Sequence, residues 1–281
     1  MFLGKTYLLT GCSQGIGNQI AHDLAKKGAR LILVSRNEID LENLNKVLAY
    51  REIKHFLIPL DVSNSFMVEQ AFVKITSISP HLHGIINCAG SFGAIGKLED
   101  VAPPEFLKGI MVNLLGSYNM CYYGINLLKK ATRGKIINFS GGGVTSNFPN
   151  YSSYSCSKIA LVKFTENLAE EYPQIDSNII APGFLKTKLA EQTIKVGEKA
   201  GSFYNKTKDM LIQGGNDIRY PVDLVSFLLN EESDGITGKL ISAPWDDWKN
   251  NDFQKQLKED KDFCSLRRID NKYFQKMSSN L

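Results

Sequence analysis

Short apolar runs alternate with longer amphipathic stretches from the first residues to about residue 243. The runs are KTYLLTG (5–11), ARLILVSR (29–36), HFLIPLDV (55–62), HGIINCAG (83–90), GKIINFS (134–140), SNIIAPG (177–183) and GKLISAP (238–244). None shows a clean apolar/polar alternation, the pattern of strands covered on both faces. Between them, segments such as GIGNQIAHDLAKKGA and YSSYSCSKIALVKFTENLAEEY repeat their apolar residues at helical spacing. In the second, Ile159, Val162, Leu168, Ala169 and Tyr172 form much of one stripe. Strand–helix–strand alternation with short links predicts right-handed crossovers and one doubly wound, seven-stranded parallel α/β sheet with helices on both faces, over residues 1–243. Two regions break the rhythm. Residues 184–220 form a long insertion before a helix that starts near Pro221. Residues 244–281 form a polar tail carrying Trp245, Trp248, Arg267 and Arg268, expected to act as a subunit interface or a substrate lid.

Charge and composition narrow the classes. With 33 basic and 29 acidic residues, the net charge of +4 is too mild for a nucleic-acid partner. Five scattered cysteines, none in a CxxC pair, read as reduced thiols rather than a disulfide framework. No apolar run approaches the roughly 20 residues that span a bilayer. The start of the chain lacks the apolar region and cleavage site of a signal peptide, so a soluble cytoplasmic protein is expected, with no membrane role.

Strand one runs straight into Thr10-Gly11-Cys12-Ser13-Gln14-Gly15-Ile16-Gly17 and then a helix. Glycines there allow a tight turn and close approach of a pyrophosphate, and the helix N-terminus offers free N–H groups to it. The sheet is therefore Rossmann-like. The tip of strand two selects the cofactor. A carboxylate would favour NAD, but the chain reads Ser35-Arg36-Asn37. Arg36 suits a 2′-phosphate, with Ser35 donating beside it, so NADP(H) is expected over NAD(H).

Tyr154 and Lys158 lie four apart on one predicted helix face. A phenol of ordinary pKa, about 10, is a poor acid–base catalyst at neutral pH. A neighbouring ammonium and a positively charged nicotinamide are expected to lower it. Tyr154 then exchanges a proton with a carbonyl or alcohol oxygen, and Ser140 polarises that oxygen by hydrogen bonding. Taken alone, these are also packing aromatics and turn residues.

The ordered set of motifs settles between those readings. The loop at 10–17, Asp61-Val62, Asn87-Cys88-Ala89-Gly90, Asn113, Ser140, Tyr154-x-x-x-Lys158 and Pro182-Gly183 with Thr187 resembles the compact, Tyr-based short-chain dehydrogenase/reductase family over roughly residues 3–243. The resemblance implies an oxidoreductase moving a hydride between a nicotinamide and a small carbonyl or secondary alcohol, such as a keto sugar derivative or a 3-oxoacyl compound. It implies that Asp61 and Val62 meet the adenine, that Asn87, Ala89 and Gly90 line the adenosine ribose, and that Lys158 reaches the nicotinamide ribose. Leu185 and Thr187 would hold the nicotinamide amide, and Asn113 a water that links Lys158 to solvent. It also implies a homodimer or homotetramer joined through the Tyr154 helix and its predecessor. Cys88 departs from the usual asparagine of its motif. The alternative is a non-catalytic NADP-binding sensor or scaffold, against which the intact Ser140, Tyr154 and Lys158 count. The TGxxxGxG spacing also disfavours the longer sugar-nucleotide epimerases of related fold.

Cys12 and Cys156 flank these motifs without a histidine partner and are not expected to act as nucleophiles. His22, His55, His81 and His83 are expected to be solvated loop residues, with no metal site. The lysines of the 184–220 insertion are expected on a solvated helical face, the sharper reading being that some of them meet an anionic substrate.

Overall fold

The computed structural model describes residues 1–48 and 52–267. All seven expected strands form: β1 (Thr6–Thr10), β2 (Arg30–Ser35), β3 (Phe56–Pro59), β4 (Gly84–Asn87), β5 (Gly134–Phe139), β6 (Ile175–Ala181) and β7 (Leu240–Ser242). They make one parallel sheet in the order β3-β2-β1-β4-β5-β6-β7. The chain order reverses between β1 and β4, which opens a crevice beyond their carboxyl ends, where ligands of such sheets bind.

The unbroken apolar runs now have their reason. Leu9, Leu31, Leu33, Ile86 and Ile137 point to one face, against α1 (Gly15–Lys26), α2 (Glu38–Val47) and α9 (Arg219–Leu228). Their neighbours Leu8, Ile32, Val34, Ile85 and Ile136 point to the other, against α3 (Ser65–Ile78) and α5 (Gly116–Leu128). Each such side chain contributes about 1.5–3 kcal/mol by leaving water.

The helix that carries Tyr154, α6 (Ser152–Glu171), is buried differently from the expected stripe. Val162 and Leu168 are in the core, but Ile159 is 45% exposed. The buried face instead includes Ser157, Lys158 and Thr165. Polar pairing makes this possible: Asn87 donates to Asn138 (2.9 Å), Asn138 to Thr165 (2.9 Å), and Thr165 to the Leu161 carbonyl (2.7 Å). Pairing of this kind offsets most of the desolvation cost of a buried polar face.

The insertion is helical: α7 (Lys188–Val196), a tight turn, and α8 (Ser202–Ile212). Its ends are pinned together, Asn216 donating its backbone N–H to the Phe184 carbonyl (2.8 Å) and accepting the Phe184 N–H on Oδ1 (3.0 Å). The described part of the tail packs on the domain itself. Trp248, part of the tail expected to form an interface or lid, is a core residue whose indole donates to the Ala243 carbonyl at 3.1 Å. After α10 (Asn251–Glu259), the Cys264 carbonyl accepts the Leu240 N–H at 2.7 Å. Arg267 pairs with Glu166 and Asp262; Arg268 lies outside the described residues, while Trp245 is 73% exposed. Among the described residues, no helix is long and apolar enough to cross a membrane.

The amino ends of the strands form a polar seam. Asp176, 1% exposed, takes a bidentate pair from Arg133 (2.7 and 2.6 Å) and a bond from the buried Lys135 (2.8 Å), which also reaches Asp234 (2.6 Å). His83 accepts the Thr6 N–H (3.0 Å), and His55 accepts the Leu31 N–H (3.2 Å) while donating to the Leu48 carbonyl. These two histidines are therefore structural acceptors, not the solvated loop residues expected. Burial lowers both pKa values, that of His83 to about 4.

Candidate active site

A cleft of about 690 Å³ opens at the carboxyl ends of the central strands. Its floor is the glycine loop. Gly11 has φ +66°, and a Cβ there would lie 2.7 Å from Ala89 Cα; a Cβ on Gly17 would collide with the Gly11 carbonyl. Only glycine allows β1, the loop and the end of β4 to approach so closely. Thr10 ties them together by accepting the Ala89 N–H on Oγ1 at 3.1 Å. Gln14 gives no side-chain cap to α1, whose first residues line the cleft.

At the tip of β2, Ser35 donates to Ser13 at 3.1 Å, joining the selector strand to the loop. Arg36 lines the cleft, is exposed, and makes no ion pair among the described residues. Asp61 lines the cleft with Val62; one of its oxygens accepts the Ser63 N–H (2.9 Å) and hydroxyl (2.6 Å).

Ser140, Tyr154 and Lys158 meet on the opposite wall. Ser140 leaves β5 with its N–H on the Ile180 carbonyl at 2.8 Å. It is 3% exposed, and its Oγ has no partner. A buried hydroxyl left unpaired at a cleft wall is held ready for a ligand. Tyr154 is 6% exposed, and its hydroxyl lies so close over the Gly141 backbone that no side chain fits there. Phe92 packs edge-on against its ring at 4.8 Å; Phe148 and Tyr151, stacked at 4.1 Å, extend the aromatic cluster to Phe203 of α8. Lys158 Nζ donates to the Phe139 carbonyl at 2.7 Å and sits 5.6 Å from the Tyr154 ring centroid.

The protein's own groups do not lower the Tyr154 pKa as the sequence suggested. Burial raises it well above the ordinary tyrosine range. Burial also lowers Lys158 to about 8, with the neighbouring Cys88 opposing the shift. The ammonium bonds to a carbonyl and lies beside the aromatic ring, so desolvation dominates both groups.

Several expected contacts lie off the cleft. Asn87 is 2% exposed; its Nδ2 donates to Asn138 and Cys121, stitching β4 to β5, while its Oδ1 is left without a partner. Gly183, at φ +78°, faces Asn216 and Pro244, and Leu185 is buried away from the wall. Asn113 is fully buried behind Lys158, in a π-turn (Met111–Leu115) that joins α4 (Pro103–Ile110) to α5. It accepts the Ser91 N–H (2.9 Å) and donates to the Ser91 carbonyl and the Ser157 hydroxyl (2.8 Å each). Wall residues that no motif marked include Ser91, Leu107 and Met111, and Lys188, Leu189 and Gln192 of α7. The helical spacing of Leu107 and Met111 is their sole trace in the sequence.

Burial holds the Cys12 and Cys88 thiols protonated, pushing each to about 12, which suits packing and not nucleophilic attack. Among the described residues no cluster of three or more His, Cys, Asp or Glu is placed to hold a metal.

The glycine cradle, the uncapped α1 terminus, the unpaired Arg36 and the orphaned Ser140 hydroxyl together fit a dinucleotide beside a reacting carbonyl. Comparison with known proteins agrees. The short chain dehydrogenase family model matches residues 5–196. An 11-beta-hydroxysteroid dehydrogenase-like protein of Arabidopsis thaliana is 36% identical over 68% of this chain, which spans 63% of that protein's length. Oxidoreductase UcpA of Salmonella typhimurium is 29% identical over 84% of this chain and 91% of its own. The crystal structure of levodione reductase superposes with a TM-score of 0.79 at 24% identity, covering 86% of this chain and 96% of that one. The chain belongs to the short-chain dehydrogenase family, oxidoreductases that act on small molecules with a nicotinamide cofactor.

Proposed function

We propose that this chain is an NADP(H)-dependent carbonyl reductase or alcohol dehydrogenase in which Tyr154 is the acid–base catalyst. The carrying observation is the Ser140 hydroxyl, buried and unpartnered on the wall it shares with Tyr154 and Lys158. Gly11 to Gly17 and the α1 terminus hold the pyrophosphate, Arg36 and Ser35 the 2′-phosphate, and Asp61 and Val62 the adenine. Ala89 and Gly90 line the ribose, Lys158 binds the nicotinamide ribose, and Pro182 and Thr187 flank the amide. The bound nicotinamide supplies or accepts the hydride. Ser140 donates a hydrogen bond to the substrate oxygen. Tyr154 passes its proton to that oxygen in reduction, and the Lys158 ammonium stabilises the phenolate left behind. Asn113 keeps the π-turn against Ser157, and so fixes the wall behind Lys158.

An apolar carbonyl compound is the substrate class best supported. The side chains clustered around Tyr154 are aromatic or aliphatic, and Lys186, Lys195, Lys199, Lys206 and Lys208 are all exposed, the last two lying over the Phe203 and Tyr204 rings. The steroid in the name of the Arabidopsis relative points the same way. The exposed Tyr118, Tyr122 and Ile159 on α5 and α6 support a homodimer through those helices, and sedimentation as a monomer at micromolar concentration excludes it. Five free cysteines fit a reducing, cytoplasmic setting.

The test is calorimetric titration of NADPH and NADH into the wild type and Arg36→Ala. NADPH is expected to bind more tightly, and the variant to lose about 10–100-fold of that affinity. Equal binding of both cofactors overturns the role of Arg36. No binding of either removes the enzyme and the NADP-binding scaffold alike.

A further inference from the structure

We infer that Lys188, at the first turn of α7, clamps the dinucleotide pyrophosphate from the side opposite the glycine loop, together with the free backbone N–H groups beside it. The inference rests on the cleft being a dinucleotide site.

The first turn of α7 stands directly over that loop. The Thr187 methyl lies 3.4 Å from the position a Cβ on Gly15 would take, so the N-termini of α1 and α7 meet across one stretch of the cleft. Neither terminus is capped by a side chain: Gln14 makes no capping bond, and neither does Thr187. The first N–H groups of a helix have no partner within it. Two converging positive helix ends repel each other unless an anion lies between them.

Lys188 sharpens the point. A lysine in the first helical turn opposes the helix dipole, where an acidic residue is favoured. Its side chain lines the cleft, is exposed, and makes no ion pair among the described residues. Glu191, in the same turn, does not pair with it. Of the charged groups on the cleft wall, Asp61 is held by Ser63, Lys108 by Glu105, and Lys158 by the Phe139 carbonyl. Arg36 and Lys188 alone remain unengaged, Arg36 beyond β2 and Lys188 beyond β6, on either side of the β1–β4 crevice. Two separated free cations suit a ligand with two separated phosphate groups. With Arg36 on the 2′-phosphate, the pyrophosphate falls to Lys188.

Calorimetry with NADPH, ADP-ribose (pyrophosphate without a 2′-phosphate) and 2′-AMP (the reverse) tests the assignment. Lys188→Gln is expected to weaken NADPH and ADP-ribose by about tenfold or more and to leave 2′-AMP unchanged. Arg36→Ala is expected to do the opposite with the two fragments. Lys188→Arg, which keeps the charge, restores most of the binding, and Lys195→Gln, at the far end of α7, changes nothing. The salt dependence of NADPH binding becomes shallower in Lys188→Gln. Wild-type affinity for NADPH in Lys188→Gln overturns the inference, as does a loss confined to 2′-AMP. A wild type that binds no dinucleotide at all fails the enzyme reading instead.

Discussion

The two edges of the sheet are built on opposite terms. At the amino edge the buried charged groups and histidines have found protein partners: Asp176 holds Arg133 and Lys135, His83 and His55 hold strand N–H groups, and Lys239 donates to the Asp260 and Phe263 carbonyls. At the carboxyl edge the equivalents are left open: the Ser140 hydroxyl, the Arg36 guanidinium, the Lys188 ammonium and two helix termini. Charge and burial alone do not separate a site from a scaffold, since Lys135 is as buried as Lys158. What separates them is whether the protein itself completes the hydrogen bonding.

The largest contrast lies in activity. Tyr154→Phe keeps the ring against Phe92 and removes only the hydroxyl. Turnover is expected to fall by about 10²–10⁴-fold while NADPH affinity and melting temperature stay at wild-type values. A variant that melts early instead makes Tyr154 a core aromatic.

The mirror experiment is Asp176→Ala. It strips the buried Lys135 of one of its two carboxylates and Arg133 of its bidentate partner. A stability loss of about 3–5 kcal/mol in urea unfolding is expected, with cofactor affinity per folded molecule unchanged. A change in cofactor affinity at constant stability breaks the division between the edges.

The smallest effect is on pH. The His83 and His55 pKa values are lower folded than unfolded, so their contribution to stability is complete above the unfolded value, about 6.5. It is lost as pH falls toward the folded value, about 4 for His83. The melting temperature is expected to decline over that window, and less so in His83→Gln. An equal decline in that variant assigns the loss to the carboxylates.

The same contrast explains what the sequence made legible. The sheet was readable because a strand covered on both faces must be apolar at every position, as Leu8 and Leu9 are. Tyr154 and Lys158 were readable because helical spacing alone puts them on one side. The motif neighbours of Asn87, Ala89 and Gly90, reach the cleft, whereas its amide nitrogen is drawn into the sheet by Asn138, a pairing that only the fold reveals. Ile159 was misplaced because an apolar stripe was sought on a helix that buries serine, lysine and threonine. Leu107 and Met111 were invisible as site residues, and Lys188 was only one of several lysines in the insertion, since only the packing of α4 and α7 over the crevice brings them there. Trp248 looked free for a ligand because no local pattern announces that a tail folds back on Phe227.

The paired bonds between Phe184 and Asn216 have a consequence for how such a protein changes over time. Because the strap from one to the other leaves and re-enters the domain at one stitched point, and otherwise leans on it through Thr193, Lys199 and Phe203, its length can change without disturbing the sheet below. Substitutions or insertions within it retune which molecules are admitted, and the cost of a longer closed strap rises only slowly with length. Its first turn, where Thr187 stands against the glycine loop beside Lys188, is the part that such changes must spare.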